Sequence, residues 1–206
     1  MRFDISNKIR VSEASPDFKI WVDNSLKLDN PEYHKKINMG LKVWNTPEYI
    51  WLFEKVEDFY LLPFGCVAEL IGRYKGCGFY SHIIAKNKFD YKSGINLYPY
   101  QEKAVNEAYN AKNGVLVMPC GSGKTQCGLE LISRIGLKAL WLTHTQDLLN
   151  QSLERARSVL DCDPASFGTI TGGKVNIGTG ITFATVQTMS KIDLAQYKDE
   201  WGVNNS

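Results

Sequence analysis

An apolar run leads directly into a glycine-rich turn in the middle of the chain: Val115-Leu116-Val117-Met118-Pro119-Cys120-Gly121-Ser122-Gly123-Lys124-Thr125. The first four residues are apolar on both faces, which is typical of a parallel strand buried between two neighbours. Beyond the turn, residues 124–135 have the pattern of a helix that Gly136 ends. The stretch therefore predicts a strand, a tight loop and a helix in succession.

Helices and strands alternate on both sides of this stretch. The further predicted elements are a helix from Pro99 that ends before Asn113-Gly114, a strand Ala139–Leu142, a helix Asp147–Leu160 capped by Thr145, and strands near Gly168–Thr171 and Ile181–Ala184. This alternation predicts an α/β fold with a doubly wound, mainly parallel sheet.

The front of the chain differs in composition, because residues 1–96 hold 16 of the 24 aromatic side chains. A polar stretch, Lys86–Gly94, separates it from the rest and has the character of a linker. The boundary is predicted near Lys92, which gives domains 1–92 and 93–206. Within the first we predict a helix Pro31–Met39 and a hairpin of strands Pro47–Glu54 and Phe59–Phe64, hence a small α+β domain.

Composition excludes several classes of protein. The 206 residues are 44% hydrophobic and 22% charged, and the net charge is +2, so the chain is an ordinary globular protein without a global basic field. Neither a membrane-spanning run nor an export signal is recognised, and five cysteines without a C-x-x-C pair argue against disulfides and zinc. His34 and His82 lack metal-ligand spacing and are expected to be surface or core residues. The cytoplasm is the predicted location.

The glycine loop has the residue types that triphosphate binding requires. Gly121 and Gly123 let the backbone turn its N–H groups toward phosphate oxygens, Lys124 adds a cation, and the Thr125 hydroxyl can ligate Mg²⁺. Pro119-Cys120-Gly121-Ser122-Gly123-Lys124-Thr125 thus resembles a Walker A loop, with Met118 in place of the first glycine, and the alternative is an unrelated glycine turn. Lys124 and Thr125 are the predicted catalytic residues, with Mg²⁺ held by Thr125 through the nucleotide.

Further segments, in order, resemble the superfamily 2 DEAD/DEAH-like helicases of the restriction-enzyme, repair and phage type. Leu97-Tyr98-Pro99-Tyr100-Gln101 resembles the adenine-binding element of that family, which implies that Gln101 hydrogen-bonds the base and that Tyr98 lies beside it. Simple packing at a helix start is the alternative for the tyrosines. The family's fold implies that residues 93–206 form part of a first RecA-like P-loop NTPase lobe.

Three segments resemble elements of that family that hold nucleic-acid backbone phosphates. The implied contacts are His144, Thr145 and Gln151 in motif Ia, Gly172 and Gly173 in the motif Ib turn, and Thr185 and Gln187 in the T-x-Q-T element. Each also has a plain structural alternative: Thr145 and Thr185 are helix-cap candidates, and Thr-Gly-Gly is a common hairpin turn.

The acidic pair needed for hydrolysis is missing from the expected place. The family places D-E-x-H or D-E-x-D after a buried strand, whereas Asp199-Glu200 follows no apolar run and is interpreted as a solvated helix end. We therefore expect the front of a longer helicase, with a second RecA-like lobe in the same chain. The part given would bind ATP but not hydrolyse it alone.

The front domain is expected to recognise substrate. Ile71–Gly76 interleaves basic and aromatic residues in what is predicted to be a glycine-bounded loop, so Arg73, Tyr74 and Lys75 are candidate DNA contacts, against the alternative of a surface hairpin tip. The sequence as a whole predicts an ATP-dependent DNA helicase or translocase that uses ATP and Mg²⁺, with RNA not excluded as substrate. The rival is a non-catalytic nucleotide- or DNA-binding regulatory module, while a P-loop kinase or GTPase leaves the later segments without a role.

Overall fold

The computed structural model describes residues 1–81, 88–197 and 200, which fall into two compact units. One unit holds the described residues up to Ser81, and the other holds those from Lys88 onward. His82, the beginning of the predicted linker at Lys86-Asn87, and Asp199 lie outside the described residues. No helix in the described part of the chain is long and apolar enough to cross a membrane.

The first unit is an α+β domain, as predicted. Its elements are β1 Arg2–Ile5, β2 Lys8–Ser12, α1 Pro16–Ser25, β3 Lys27–Asp29, α2 Pro31–Asn38, β4 Tyr49–Trp51, β5 Glu54–Val56, β6 Phe59–Pro63, α3 Val67–Arg73 and β7 Gly78–Ser81. Five strands form one sheet in the order β5-β6-β2-β1-β7, in which only β7 is parallel to its neighbour. Phe3, Phe18 and Leu62 lie at the centre of its core.

The predicted hairpin is partly wrong. The turn at Glu57-Asp58 does join two antiparallel strands, but they are the short β5 and β6. The earlier residues Tyr49–Trp51 pair instead with β3, in a separate two-stranded sheet. Cross-strand pairing brings together residues distant in sequence, so the aromatic run indicated a strand without indicating its partner. The helix α2 begins behind Asn30, whose side chain accepts from Glu32 N at 3.0 Å, as predicted.

The second unit contains a parallel three-stranded core. Its elements are α4 Pro99–Ala111, α5 Lys124–Ile135, β8 Ala139–Thr143, α6 Gln146–Val159, β9 Phe167–Thr171, β10 Lys174–Asn176, β11 Ile181–Thr185 and α7 Val186–Met189. The sheet order is β10-β9-β11-β8, with β11 parallel to both β8 and β9 and buried at every position. The strands therefore end together at one edge, which carries Thr143, Thr171 and Thr185.

The strand predicted at residues 115–118 is wrong for the part of the chain that the structure describes. These residues form no strand, and Val115 and Val117 are 89% and 88% exposed. An apolar run of this kind indicates a strand between two neighbours. The sheet of the described residues ends instead at β8 and β10, and neither pairs with this segment.

Residues 88–94, the described part of the predicted linker, are hydrogen-bonded to the rest of the second unit. Lys92 O accepts from Asp161 N at 2.8 Å, and Gly94 N donates to Val159 O at 2.8 Å. The side chain of Tyr91 is buried, and its hydroxyl donates to Leu137 O at 3.0 Å. The break between the two units among the described residues thus precedes Lys92.

Candidate nucleotide and nucleic-acid site

The glycine loop has the backbone conformation that its sequence requires. Gly121 and Gly123 have φ values of +75° and +82°, in the left-handed region that side chains with a Cβ rarely adopt. Ser122 closes the turn, because its Oγ donates to Pro119 O at 2.7 Å. Cys120 is exposed and carries a free thiol. The loop ends at Gly123, and α5 begins at the next residue, Lys124.

The start of α5 leaves N–H groups for a ligand. The first intrahelical bond runs from Cys127 N to Gly123 O at 3.0 Å, so the amides of Lys124, Thr125 and Gln126 precede the helical ladder. The N-terminus of a helix carries a partial positive charge as well. Such an arrangement fits an anion of the size and charge of a phosphate.

Lys124 already folds back over the loop. Its Nζ donates to Pro119 O at 2.8 Å and to Met118 O at 3.2 Å, and its side chain is exposed. The ammonium group is thus held near the loop by carbonyls that phosphate oxygens could replace. Thr125 directly follows Lys124 in the first turn of α5 and is half-buried.

Two side chains of α4 converge on one carbonyl of the loop. Gln101 is only 2% exposed, and its Nε2 donates to Ser122 O at 2.8 Å, while its Oε1 accepts from Tyr98 N at 2.9 Å. The Tyr100 hydroxyl donates to the same Ser122 O at 3.2 Å. The resemblance implies that Gln101 contacts the base, but the sequence does not show that Gln101 and Tyr100 hydrogen-bond to the glycine loop.

Tyr98 and Tyr100 form a flat aromatic surface beside the loop. Their rings lie 6.0 Å apart between centroids with an interplanar angle of 5°, and they remain 67% and 53% exposed. An exposed stacked pair has free π-faces on which a planar base can pack. The geometry therefore suits the predicted place of Tyr98 beside a nucleobase.

The candidate phosphate-backbone residues lie at one edge of the sheet. His144 and Thr145 follow β8, and Thr145 caps α6, since its hydroxyl accepts from Leu148 N at 3.3 Å. Both are exposed, as is Gln151 on the outer face of α6. The capping role given as the alternative for Thr145 is thus present.

The other two candidate segments follow the neighbouring parallel strands. Gly172 and Gly173 make the turn between β9 and β10, with φ values of +57° and +78°, and both are exposed. Thr185 is buried and caps α7 by accepting from Thr188 N at 3.3 Å, whereas Gln187 is exposed. Parallel pairing in register, Thr185 opposite Thr143 and Ala184 opposite Ile170, brings the three segments to the same edge.

The candidate contacts of the first unit differ from the prediction. Residues 71–73 belong to α3 and not to a loop, and Arg73 lies over the Trp21 ring at 5.8 Å from its centroid and 3.9 Å from Glu69. Tyr74 packs against the aromatic core and its hydroxyl donates to Asp17 at 3.3 Å. Only Lys75 lies in an exposed turn. The spacing of apolar Val67, Leu70 and Ile71, at i, i+3 and i+4, was the sequence signal that could have indicated this helix.

Glu200, the second residue of the predicted acidic pair, contacts a lysine of the second unit. It forms an ion pair with Lys138, which directly precedes β8. Asp199, its partner in the predicted acidic pair, lies outside the described residues.

Comparison with known proteins decides the family. A family model described as "Type III restriction enzyme, res subunit" matches residues 94–205, more than half of the chain. The chain belongs to this family. The resemblance to superfamily 2 DEAD/DEAH-like helicases is thereby confirmed, and so is the partial RecA-like α/β fold of the second unit.

Relatives of the family match this chain over part of their own length. The DNA 3'-5' translocase XPB2 of Sulfurisphaera tokodaii is 39% identical over 94 residues, which are 46% of this chain and 20% of that protein. A mimivirus protein named as a candidate ATP-dependent RNA helicase, L396, is 31% identical over 108 residues, 50% of this chain and 20% of its own. The chain thus spans about a fifth of these relatives.

The UvsW helicase of bacteriophage T4 has a similar fold. Its crystal structure superimposes with a TM-score of 0.62 over 98% of this chain and 80% of that chain, at 16% sequence identity. At this identity the likeness shows the fold alone.

Proposed function

We propose that this chain is the nucleotide-binding part of an ATP-dependent DNA helicase or translocase of superfamily 2. The observation that carries the proposal is the loop at residues 119–125, in which the Lys124 ammonium group folds back over the loop and the first amides of α5 precede its helical bonds. Membership in the family and relatives named as DNA translocases and helicases support it.

ATP and Mg²⁺ fit the residues present. Lys124 exchanges its two carbonyl partners for phosphate oxygens, and the amides of Lys124, Thr125 and Gln126 donate to the same group. Thr125 supplies a hydroxyl for the cation, which when bound neutralises charge on the phosphates. Gln101 holds the loop through Ser122 O and is also the proposed base contact, and Tyr98 and Tyr100 are proposed to pack against the base.

Nucleic acid is proposed to bind at the edge where β8, β9 and β11 end. His144, Thr145, Gly172, Gly173 and Gln187 offer hydroxyl, amide and backbone donors, which bind phosphates without selecting a base sequence. DNA is the proposed substrate, with RNA as the comparison that the mimivirus relative suggests. Arg73 and Lys75 remain proposed contacts of the first unit, and five free cysteines support a place in the cytoplasm.

A calorimetric titration with MgADP tests the nucleotide site. Lys124→Ala is expected to weaken binding about tenfold or more, because a hydrogen bond from a charged group is worth about 1.5–3 kcal/mol. Lys103→Ala, an exposed lysine of α4, is the matched control and is expected to leave the affinity unchanged. Equal affinity of wild type and Lys124→Ala would exclude the proposed site.

Gel-shift titrations with single-stranded DNA and RNA of one sequence test the nucleic-acid edge. Gln187→Ala and Gln151→Ala remove exposed amides and are expected to weaken DNA binding about two- to tenfold, the value of one hydrogen bond. Asn110→Ala, an exposed residue of α4, is the control. Unchanged binding by both glutamine variants would place the DNA elsewhere.

The second candidate function is a regulatory module without catalysis. It is favoured by the absence, among described residues, of an acidic pair at the end of a parallel strand, and by the pairing of Glu200 with Lys138. The coding sequence after Ser206 separates the two. An apolar strand followed by an Asp-Glu pair supports the helicase, and a stop codon supports the module.

A further inference from the structure

Arg134 joins two helices through three hydrogen bonds. It lies in the last turn of α5, where its Nε donates to Glu130 at 2.8 Å. Its other two nitrogens reach α4, one to Glu102 at 2.8 Å and one to Asn106 at 2.7 Å. A planar guanidinium group matches such a set of acceptors, whereas an ammonium group does not.

The acceptors of Arg134 are themselves fixed. Glu102 also accepts from Asn106 at 3.3 Å, and Glu130 accepts from the Ser93 hydroxyl at 2.6 Å. The hydrogen bond from Arg134 lowers the pKa of the Glu102 carboxyl, and the hydrogen bonds to Glu102 and Glu130 raise the pKa of Arg134. The ion pair between Arg134 and Glu102 is thus charged throughout the neutral range, although Arg134 keeps 29% of its side chain exposed.

Arg134 is bonded to α4, and α4 also carries Gln101, which contacts the glycine loop. Glu102 directly follows Gln101, whose amide donates to Ser122 O at 2.8 Å. Gln101 has little freedom of its own, since its other end accepts from Tyr98 N. A shift of the first turn of α4 relative to α5 therefore moves Gln101 away from the loop.

We propose that Arg134 is a positioning residue for the nucleotide site: it holds the start of α4 on α5, so that Gln101 keeps the phosphate loop in its binding conformation. The proposal rests on the proposed nucleotide-binding function and extends it to a residue in the last turn of α5, at the opposite end of that helix from the loop. Arg134 itself touches neither the loop nor the ligand.

Arg134→Lys keeps the charge and removes the planar set of three donors. Lys103→Met is the control, because Lys103 lies on α4 and forms its ion pair with Glu107 of the same helix. Binding of a fluorescent ATP analogue is followed by anisotropy. Arg134→Lys is expected to raise the Kd about fivefold, within the range of coupling between residues of one network. In a Gln101→Ala background the same change is expected to have no effect. Equal effects in both backgrounds, or none in the wild-type background, overturn the proposal.

A second measurement needs no nucleotide. Hydrogen exchange of the Gln101 side-chain amide, followed by NMR, is expected to accelerate in Arg134→Lys and to stay unchanged in Lys103→Met. Unchanged exchange in Arg134→Lys overturns the positioning role. Failure of the proposed nucleotide-binding function would be seen in a different measurement: Lys124→Ala would then bind the ATP analogue as tightly as the wild type.

Discussion

Replacing Gly123 with alanine perturbs both the backbone of the glycine loop and the contact of this loop with α4. Gly123 has φ +82°, and a Cβ built there would overlap the Gln101 amide nitrogen. Gly121 has nearly the same conformation, φ +75°, but its Cβ would meet nothing within 4 Å. Gly121→Ala is therefore a control that shares the backbone strain and lacks the collision.

The two substitutions are expected to differ in a defined amount. A Cβ in the left-handed region costs roughly 1–2 kcal/mol at either position. Gly123→Ala also displaces the buried Gln101 amide from Ser122 O, and leaving a buried polar group without its partner costs about 1–3 kcal/mol more. We therefore expect the second unit to lose about 2–5 kcal/mol in Gly123→Ala and about 1–2 kcal/mol in Gly121→Ala, the sums of these contributions.

Hydrogen exchange of the buried β11 amides, followed by NMR, measures the free energy of opening for the second unit alone. This avoids treating two compact units as a single transition. In a Gln101→Ala background, Gly123→Ala is expected to cost no more than Gly121→Ala does in wild type. Equal destabilisation by the two substitutions in wild type, or an undiminished excess without Gln101, would refute the contact as the cause.

Two further predictions concern stability in the second unit. Thr145→Ala removes the cap of α6 and is expected to cost about 1 kcal/mol, whereas Thr145→Ser keeps an acceptor for Leu148 N and costs less. Hydrogen exchange of the buried β11 amides in both variants measures the two losses, and equal losses would contradict the capping role. Burial raises the pKa of Tyr91. At about pH 10 the phenol therefore stays neutral in the folded state, whereas in the unfolded chain it begins to ionise. The stability that Tyr91 contributes is complete below about pH 10 and decreases as the pH rises above that value. Tyr91→Phe is therefore expected to flatten the decrease in unfolding free energy between pH 9 and 11, and an unchanged slope would show that Tyr91 does not cause it.

Elements with local signals were predicted well. The helix Lys124–Ile135 has the observed ends because Gly123 and Gly136 mark them in the sequence itself. The caps Asn30 and Thr145 and the strand Ala139–Thr143 were equally legible, since a cap or a short apolar run depends on few neighbours.

Elements that form only by pairing or packing with residues distant in sequence were predicted less well. The apolar run at residues 115–118 indicates a strand, but pairing requires neighbours that no sequence pattern identifies. In the same way, Tyr49–Trp51 was assigned to the wrong partner strand. For residues 71–73 the basic and aromatic side chains favour a binding loop, whereas the structure has a helix whose Leu70 packs in the core.

The candidate site shows the same division. The loop glycines and Lys124 follow from the chemistry of phosphate binding, so the sequence alone indicates them. The contacts of Gln101 and Tyr100 with Ser122 O, and those of Arg134 with α4, depend on how two helices pack. Sequence spacing carries no information about which carbonyl such side chains will reach.

The most direct test of the account is the change in backbone amide NMR shifts when MgADP is added to the chain. The largest changes are expected at residues 121–126, and they are expected to disappear in Lys124→Ala. Changes confined to other parts of the chain, or equal changes in Lys124→Ala, would contradict a nucleotide site at this loop.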